Sequence, residues 1–572
     1  MKMNEMALNT NKKRNQSLLQ LGLVIGIAFF LNVLGNAWFT HFDLTEDKRF
    51  TLTRPTRDLL HNLDDVVYVN VLLEGNFPAG FKRLQRSVKE MLNSFRSLSS
   101  YVEYNFTDPA IGTKEEREER YRELAKDGIL PTNLTIKSTE GREEKLIFPY
   151  AKIIYRGRTA IVDLLDEEAR GRDPEEQLNN SISQLEYKFA NAFHKLQIGI
   201  KEVIGFTVGR GELNELERKD LVRNLRAYYE VGTFKLDSAT YIPQDVKVLI
   251  IAKPRLPFSD RDLFLIDQYV MNGGKVLWLI DPLNVELDSL RGTGNYVARD
   301  YPLNLNDILF RYGARVNPDL VLDWQCSRIP MIVDPKGTQD LFKWYYFPIV
   351  IPTSDHPVVK NLDGINLNFP ASIDTIQTKT PVRKTVLLAT SDRSKIQPNI
   401  TRLNFEILRY GDELVNSFDK KNIPVAVLLE GQFPSVFENR VTEQMREGLA
   451  EIKQDFKTVS EPTRMIVVSD GDIARNLVSP TGAPMPLGFN QFERFQFANK
   501  DFLLNAVEYL RDETGIIEAR GREVKLRLLD TKKAKDEQLF WQVTNIGLPL
   551  VFLVLFGLLY NYVRKLRYAK AT

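Results

Sequence analysis

Two long runs without a charged residue lie near the ends of the chain. The residues between these runs are a mixture of polar and apolar types. The first run is SLLQLGLVIGIAFFLNVLGNAWF at residues 17–39, and the second is LFWQVTNIGLPLVFLVLFGLLYNYV at residues 539–563. As a helix the first run spans roughly 34 Å, enough to cross a hydrocarbon core of about 30 Å. Thr544, Asn545 and Pro549 make the second run less regular, and the proline can kink it. We therefore expect two transmembrane helices.

Basic residues flank both runs on the side away from the middle of the chain: Lys12, Lys13, Arg14, Arg564, Lys565, Arg567 and Lys570. Lysine and arginine concentrate on the cytoplasmic side of membrane helices. The pattern predicts cytoplasmic tails at residues 1–16 and 564–572, with the large middle region on the opposite face of the membrane. Lys532, Lys533 and Lys535 favour the opposite orientation, but acidic residues are interleaved with them.

The first run contains two further signals. Gly22 and Gly26 form a G-x-x-x-G pair, which allows another helix to pack closely, although glycine is common in membrane helices in any case. Gly35-Asn36-Ala37 is similar to a signal-peptide cleavage site, but the apolar core of a signal peptide is usually shorter than this run. We expect an uncleaved anchor.

Between the two runs, strand and helix patterns alternate. DVVYVNVLLEG (residues 65–75) and YVEYNFTDP (residues 101–109) are typical of strands, and apolar residues at spacings of three and four predict a helix between them. The charged segment KEEREERYRELAKDGI predicts a solvated helix that ends at Gly128. We expect a first extracytoplasmic α/β domain at residues 40–168, followed by a linker, ARGRDPEEQ.

The segment that follows predicts a doubly wound parallel sheet at residues 178–380. KEVIGFTVGRGE, VKVLIIAKP and KVLWLIDP are strands separated by helical patterns, and the last is apolar throughout, as a strand buried on both faces is. A third α/β region at residues 381–530 contains VLLEGQFPSVF, which repeats VLLEGNFPAGF from residues 71–81 at eight of eleven positions. We interpret the repeat as a shared packing solution, in which Glu74 and Glu430 are structural or solvated. A duplication and chance similarity remain open.

Composition narrows the class of protein. The chain has 572 residues, which predicts three or four domains, and 77 basic residues almost balance 75 acidic ones, which gives no sign of a nucleic-acid partner. The lone cysteine, Cys326, cannot form an intramolecular disulfide, so the fold must be stable without one.

Candidate chemistry is confined to the edge of the central sheet where parallel strands end. Ligand sites of doubly wound sheets lie at this edge, and the residues there are Arg210, Glu212, Lys253, Arg255 and Asp281. They could form a ligand or partner site, although a tight turn explains the neighbouring glycines equally well. Asp470 and Asp472 could hold a cation, but a polar turn is the better interpretation.

No motif for catalysis is evident. The sequence has no nucleophile elbow and no phosphate-binding loop, and its four histidines are scattered. Cys326 lacks the small flanking residues of an elbow and is best interpreted as a buried thiol. We therefore expect neither enzymatic activity nor a metal or cofactor.

Several segments, in this order along the chain, resemble the GldG type of auxiliary subunit of a bacterial ABC transporter associated with gliding motility. These are FDLTEDKRFTLTRPTRDLL, VGRGE, LIIAKPRLPFSDRDLFLIDQYVMNGGKVLWLIDP, RMIVVSDGDIARN and FANKDFLLNAVEYLRDETGIIEARGREVKLRLLD. The resemblance implies an inner-membrane protein with a separate ATPase subunit and a separate multispan permease subunit as partners. It also implies a glutamine-amidotransferase-like central sheet without the catalytic cysteine, in periplasmic domains that bind a partner or cargo. Two alternatives stay open: a membrane-anchored hydrolase with an unrecognised site, and a true solute-binding protein.

Overall fold

The computed structural model of the protein describes residues 19–27, 29–30, 51–75, 77–138, 141–165, 174–199, 201–290, 294–400, 402–409, 415–451, 455–521 and 531–568. The chain divides into two units, residues 1–522 and 523–572. In the first unit, most strands form where β-branched and aromatic residues cluster, and most helices form where apolar residues recur every three or four positions.

The first part of the larger unit forms a four-stranded sheet. Its strands and helices are α1 Arg54–His61, β1 Val67–Val71, α2 Ala79–Leu98, β2 Val102–Phe106, α3 Lys114–Lys126, β3 Thr132–Ser138, β4 Gly141–Ile147, β5 Tyr150–Tyr155, β6 Arg158–Asp163, α4 Pro174–Ser183 and α5 Leu185–Ile198. The strand order is β2-β1-β5-β6, with β1 parallel to β2 and antiparallel to β5. The predicted strands and helices at residues 65–128 are confirmed, including the charged helix α3, which buries no residue.

Helix α5 belongs to the core of this first sheet. Phe189 and Phe193 of α5 pack against Phe95 of α2, with ring centroids 6.5 and 5.6 Å apart. We placed this helix at the start of the central domain, beyond a linker, but its apolar face is buried against α2 and the first sheet. The packing therefore places α5 with the first sheet, whereas the predicted boundary near residue 178 places it with the central domain.

A seven-stranded sheet forms the centre of the larger unit, with strand order β20-β23-β24-β10-β9-β7-β8. The elements from its first strand onward are β7 Val203–Val208, α6 Lys219–Arg226, β8 Glu230–Lys235, β9 Val246–Ala252, α7 Asp260–Met271, β10 Lys275–Leu279, β11 Leu283–Asn284, β12 Asn295–Val297, β13 Arg299–Asp300, α8 Asn306–Tyr312, β14 Ala314–Val316, β15 Asp319–Asp323, β16 Cys326–Ile332, β17 Gln339–Val350, β18 Ile365–Asn366, β19 Ile373–Thr375, β20 Val382–Ala389, β21 Ser394–Pro398, β22 Arg402–Asn404, β23 Pro424–Gly431, α9 Glu443–Glu451, β24 Thr463–Val468, β25 Phe489–Asn490, β26 Phe495–Gln496 and α10 Asn499–Arg511.

The three strands that we predicted for a parallel sheet, β7, β9 and β10, are parallel, and the sheet also includes four strands that we did not predict as part of it. Strands β8, β7, β9, β10 and β24 are parallel, but β23 is antiparallel to β24 and β20 is antiparallel to β23. The two antiparallel strands and β24 come from residues 381–530, which we predicted as a third region. Residues 381–530 therefore supply three strands of the central sheet. A domain boundary at residue 380 would divide this sheet in two. Whether the sheet is related to that of glutamine amidotransferases stays a prediction.

Both faces of the central sheet are covered. Helices α6 and α10 pack on one face, over Ile250, Leu279 and Val468, and helices α7 and α8 pack on the other, over Ile251, Trp278 and Val467. Alternate residues of each strand face opposite sides, which explains why these strands read as continuous apolar runs. Full burial of each such aliphatic side chain contributes about 1.5–3 kcal/mol.

Both copies of the repeated VLLEG segment have their glycine at positive φ, but β1 ends at Val71 in the first copy, whereas β23 continues to Gly431 in the second. Gly75 and Gly431 have φ values of +134° and +143°, a region that suits glycine. The phenylalanines that follow, Phe77 and Phe433, are buried in different cores. The interpretation as a shared packing solution stays a prediction.

The second unit contains α11 Thr531–Asp536 and α12 Gln538–Tyr568. Residues Gln538–Leu566 of α12 are long and apolar enough to cross a membrane, and none of the most apolar stretch is buried within the protein. No other helix of the described residues meets both criteria. Of the first predicted span, residues 19–27 and 29–30 are helical, and the rest of residues 17–39 lies outside the described residues.

Candidate functional site

The loop after β7 places Arg210 and Glu212 at the carboxyl edge of the central sheet. Gly209 and Gly211 have φ values of +110° and +74°, which let the chain turn sharply there. The backbone N–H of Arg210 donates to Oε2 of Glu212 at 2.6 Å, and the Arg210 guanidinium lies 2.6 Å from Oδ2 of Asp262, in the first turn of α7. Both side chains therefore hold the turn in place.

Lys253 is the first residue after β9, and it is buried in the centre of the same edge. Its side chain is 1% exposed, and its Nζ lies 2.5 Å from Oδ2 of Asp472, 3.2 Å from Oδ2 of Asp281 and 3.5 Å from Oε1 of Glu286. Burial alone would lower the pKa of Lys253, but the Asp281 and Asp472 carboxylates outweigh burial and raise this pKa above its ordinary value. The ammonium is therefore charged and is neutralised within the chain.

Asp470, which follows β24, is completely buried beside this ion pair. Its Oδ2 accepts the backbone N–H of Asn368 at 2.8 Å, and its Oδ1 accepts that of Asp472 at 2.8 Å. Burial, with the nearby charges of Asp281 and Asp472, holds the pKa of Asp470 well above its ordinary value. Burial also raises the pKa of Asp281, against the opposing effect of Lys253. The raised pKa of Asp470 reflects its burial and the crowding of carboxyl groups around one lysine.

The ion pair requires glycine at position 471. A Cβ on Gly471 would lie 2.7 Å from Cβ of Lys253, closer than such atoms approach. The Gly471 N–H donates to Oδ1 of Asp281 at 2.5 Å. Lys253, Asp281 and Asp472 follow β9, β10 and β24, so the cluster joins the ends of three adjacent strands. We call Lys253, Asp281, Asp470 and Asp472 the strand-end clamp.

Two arginines form a more exposed rim around the clamp. Nη2 of Arg255 lies 3.6 Å from Oε1 of Glu286, and Nη1 of Arg255 donates to the carbonyl oxygen of Gly211 at 2.9 Å. Arg475 lies 3.1 Å from Glu217 and 3.4 Å from Asp472. The side chains of Arg255, Glu286 and Arg475 are 28%, 33% and 34% exposed. The rim is therefore the accessible part of this edge.

The clamp suits a structural role better than a metal or catalytic one. Asp470 and Asp472, which we considered as cation ligands, make their contacts within the chain, and Asp472 pairs with the ammonium of Lys253. Among the described residues, no three or more His, Cys, Asp or Glu side chains are grouped so that they could hold a metal ion. Each charged group of the clamp has a partner, which is what a buried charge requires.

The cysteine and two of the histidines lie in surroundings that move their pKa values away from neutral pH. Cys326 is buried, and burial raises the pKa of its thiol to about 12, so the thiolate is disfavoured. Burial lowers the pKa of both His194 and His356 to about 4. His61 lies exposed at the end of α1, and His41 lies outside the described residues.

The sequence placed the five candidate residues at one edge, and the structure brings them into two groups that Arg255 connects. Lys253 and Asp281 form the clamp, whereas Arg210 and Glu212 shape the neighbouring turn. The pairing of Asp472 with Lys253 does not follow from the sequence, because the pattern predicts β24 in a different region from β9. Gly22 and Gly26 are helical, and no atom lies within 4 Å of a Cβ built on either glycine.

Two cavities lie away from this edge. One, of about 490 Å³, lies between α7 and α9 and is lined mainly by apolar side chains, including Phe264, Tyr269 and Met445. The other, of about 600 Å³, follows α2 beside β2, and its lining includes four cations and one carboxylate.

The fold is that of a mixed α/β protein, and the part of the chain that the structure describes includes one apolar helix of membrane-spanning length. The chain belongs to the family of ABC transporter auxiliary components described as "ABC-type uncharacterized transport system", whose model matches residues 201–506. A domain family of unknown function matches residues 46–154. Membership indicates a non-catalytic role in transport, in association with transporter components.

Relatives and solved structures add little about function. The chain is 22% identical over 448 residues to a protein of Borreliella burgdorferi that is itself described as uncharacterized, covering 76% of this chain and 81% of the relative. The mmIFT52 N-terminal domain matches 54% of this chain and 96% of its own length, at 14% identity and a TM-score of 0.31. The exo-beta-1,4-mannosidase Op5Man5 from Opitutaceae bacterium strain TAV5 matches 73% of this chain and 51% of its own length, at 12% identity and a TM-score of 0.18. Both TM-scores are too low to support an argument.

Proposed function

We propose that this chain is a non-catalytic auxiliary subunit of a bacterial inner-membrane ABC transporter associated with gliding motility. The observation that carries the proposal is the family match to residues 201–506, which includes every strand of the central sheet. The self-satisfied clamp supports a non-catalytic role, and the order of sequence segments resembling the GldG type supports the link to gliding. ATP hydrolysis then belongs to a separate ATPase subunit.

In this proposal α12 and the first apolar run cross the inner membrane, and residues 40–538 lie in the periplasm. The support is that α12 presents an apolar surface with no protein packed on it, together with the basic residues that flank both runs. Trp541 and Tyr560 lie towards its two ends, where aromatic residues are favoured at membrane interfaces. Both short tails are then cytoplasmic.

Coupling to a multispan permease then passes through two surfaces. One is α12, whose apolar surface can pack against permease helices within the membrane. The other is a periplasmic surface that binds a partner or cargo, for which the rim of Arg255, Glu286 and Arg475 is our candidate because it is accessible. Clamp and turn residues, including Lys253, Asp281, Arg210 and Glu212, would fix the shape of that rim.

Photo-crosslinking in intact membranes tests the placement of α12. Benzoylphenylalanine replaces Leu550 or Phe552, which are 57% and 62% exposed and lie on roughly opposite sides of the helix. We expect one position to crosslink to a multispan membrane protein, because a permease helix would pack on one side only. Benzoylphenylalanine at Leu130, which is 60% exposed in the first α/β region, is the control. Lipid adducts alone at both positions of α12 would contradict the proposal.

A further inference from the structure

The cavity beside α2 is a basic groove on the first sheet. Its lining comprises Glu74, Lys82, Gln85, Arg86, Lys89, Arg96, Tyr104, Asn105 and Phe106. The four cations are exposed, and none of them forms an ion pair with another described residue. The single carboxylate, Glu74, accepts a hydrogen bond from Gln85 at 2.9 Å. The groove therefore presents an excess of positive charge to solvent.

The cations form a straight row because of helical periodicity. Lys82, Lys89 and Arg96 are seven residues apart, which is nearly two turns, so they lie on one face of α2 with Arg86 beside them. The row extends over about 21 Å, or one cation per roughly 7 Å on average. Alternate side chains of an extended peptide are about 6.6–6.8 Å apart. A peptide with acidic residues at alternate positions would match the row in charge and spacing.

The opposite wall of the groove is β2, the edge strand of the first sheet. The carbonyl oxygen of Tyr101 and the N–H of Thr107 bond to β1, so the backbone groups of odd-numbered residues between them also face β1. The backbone N–H and C=O groups of Tyr104 and Phe106 therefore point away from the sheet. These groups can accept another strand.

The side chains of Tyr104 and Phe106, which belong to β2, also line the groove. Both side chains are half-buried, and the hydroxyl of Tyr104 donates to Oδ1 of Asn93 on α2 at 2.6 Å. This contact fixes the strand edge next to the row of cations. An added strand would thus place one set of side chains on the cations while its backbone pairs with β2.

We propose that this basic groove binds an extended acidic segment of a partner protein, which adds to the edge of β2 as a further strand. The open backbone groups of the edge favour a polypeptide, because a nucleic acid or a phosphate-bearing glycan would satisfy the cations without using them. This inference does not depend on the transporter role, and its test is independent of the crosslinking at α12.

A fluorescein-labelled heptapeptide of alternating glutamate and valine, with glutamate at both ends, is the probe. It is titrated by fluorescence anisotropy against the full-length chain in mild detergent at low salt. The groove variant is Lys82→Gln, Lys89→Gln and Arg96→Gln. The matched control on α3 is Lys114→Gln, Arg122→Gln and Lys126→Gln, which removes two lysines and one arginine from an exposed helix. Thermal melts verify that both variants remain folded.

We expect the groove variant to bind the probe at least tenfold more weakly, with the control unchanged. Hydrogen exchange of residues 102–106 should slow when the peptide is bound and stay fast with inorganic tripolyphosphate. The proposal is overturned by equal binding to the wild type and the groove variant, or by absence of binding at low salt. It is also overturned if peptide binding leaves exchange at Tyr104 and Phe106 unchanged, because the groove would then be only a general anion patch.

Discussion

At the scale of single residues, Lys253 determines how the carboxyl edge of the central sheet is built. Its ammonium compensates carboxylates from the ends of two other strands, and position 471 must be glycine for the lysine to fit. A buried ion pair contributes little net stability compared with apolar residues, but removal of one partner leaves the other charges uncompensated. The clamp therefore selects one arrangement of strand ends.

Replacement of Lys253 by methionine should be strongly destabilising. We expect a loss of about 3–5 kcal/mol in the free energy of unfolding, because Asp281 and Asp472 lose their counter-charge in a buried site. Urea unfolding monitored by circular dichroism measures the loss. Lys114→Met is the control, since that side chain is 78% exposed. An unchanged midpoint for Lys253→Met would show that the carboxylates are compensated in another way.

Two half-buried histidines, His194 and His356, should make the fold sensitive to mild acid. Burial lowers the pKa of His194 and of His356 to about 4, whereas an unfolded histidine titrates near 6.5. The unfolded state therefore binds more protons between these values, and stability falls as the pH falls from about 6.5 to about 4. We expect a loss of roughly 1–2 kcal/mol per histidine, after allowance for partial solvent access.

Urea unfolding at pH 7.5 and pH 5 measures this effect in the wild type and in a His194→Gln, His356→Gln double variant. The free energy of unfolding should differ less between pH 7.5 and pH 5 in the variant than in the wild type. His194 also has structural partners, because a nitrogen of Arg511 lies 3.2 Å from its Nδ1. The comparison therefore uses the change in the free energy of unfolding with pH, and not its value at one pH. An equal change with pH in both proteins would contradict the prediction that these two histidines cause the sensitivity to acid.

At the scale of elements, the sequence predicted the strands with continuous apolar runs and the helices with clear stops. Strands β7, β9 and β10 and helix α7, which ends before Gly273, are found where the pattern placed them. The pairing of β24 with β10 could not be predicted, because 183 residues separate Leu279 from Thr463 and periodicity carries no information about partners. For the same reason, the contact between Lys253 and Asp472 and the packing of α5 on the first sheet could not be predicted from the sequence.

The repeat offers a test at the same scale. In the second copy, a Cβ on Gly431 would lie 2.3 Å from the carbonyl oxygen of Pro381 on the neighbouring strand segment, and φ is +143°. We expect Gly431→Ala to lower the unfolding free energy by more than the roughly 1–2 kcal/mol that positive φ alone costs. Gly482→Ala is the matched control, since its φ is +79° and no atom lies within 4 Å of the added Cβ.

Equal destabilisation of the two alanine variants would show that the strand beside Gly431 moves aside. A larger effect at Gly431 would support the interpretation that glycine in the repeat is required by close packing. Differential scanning calorimetry of the two variants and the wild type provides the comparison.

At the scale of the whole molecule, the account requires two independent anchors. We expect the chain to remain with membranes after carbonate extraction when residues 539–563 are deleted, because the first apolar run still anchors it. Deletion of residues 17–39 should also leave the chain in the membrane, through α12. Deletion of both should release it. Complete release on loss of residues 539–563 alone would contradict the prediction of a first span.

The central claim is that the chain works as a stoichiometric subunit of an ABC transporter. The most direct test is affinity purification of the full-length chain from its own membranes in mild detergent, through a tag on the C-terminal tail, followed by native mass measurement. The account predicts recovery of an ATPase and a multispan permease in fixed ratio with this chain. Recovery of this chain alone, under conditions in which another membrane complex of the same preparation stays intact, would contradict it.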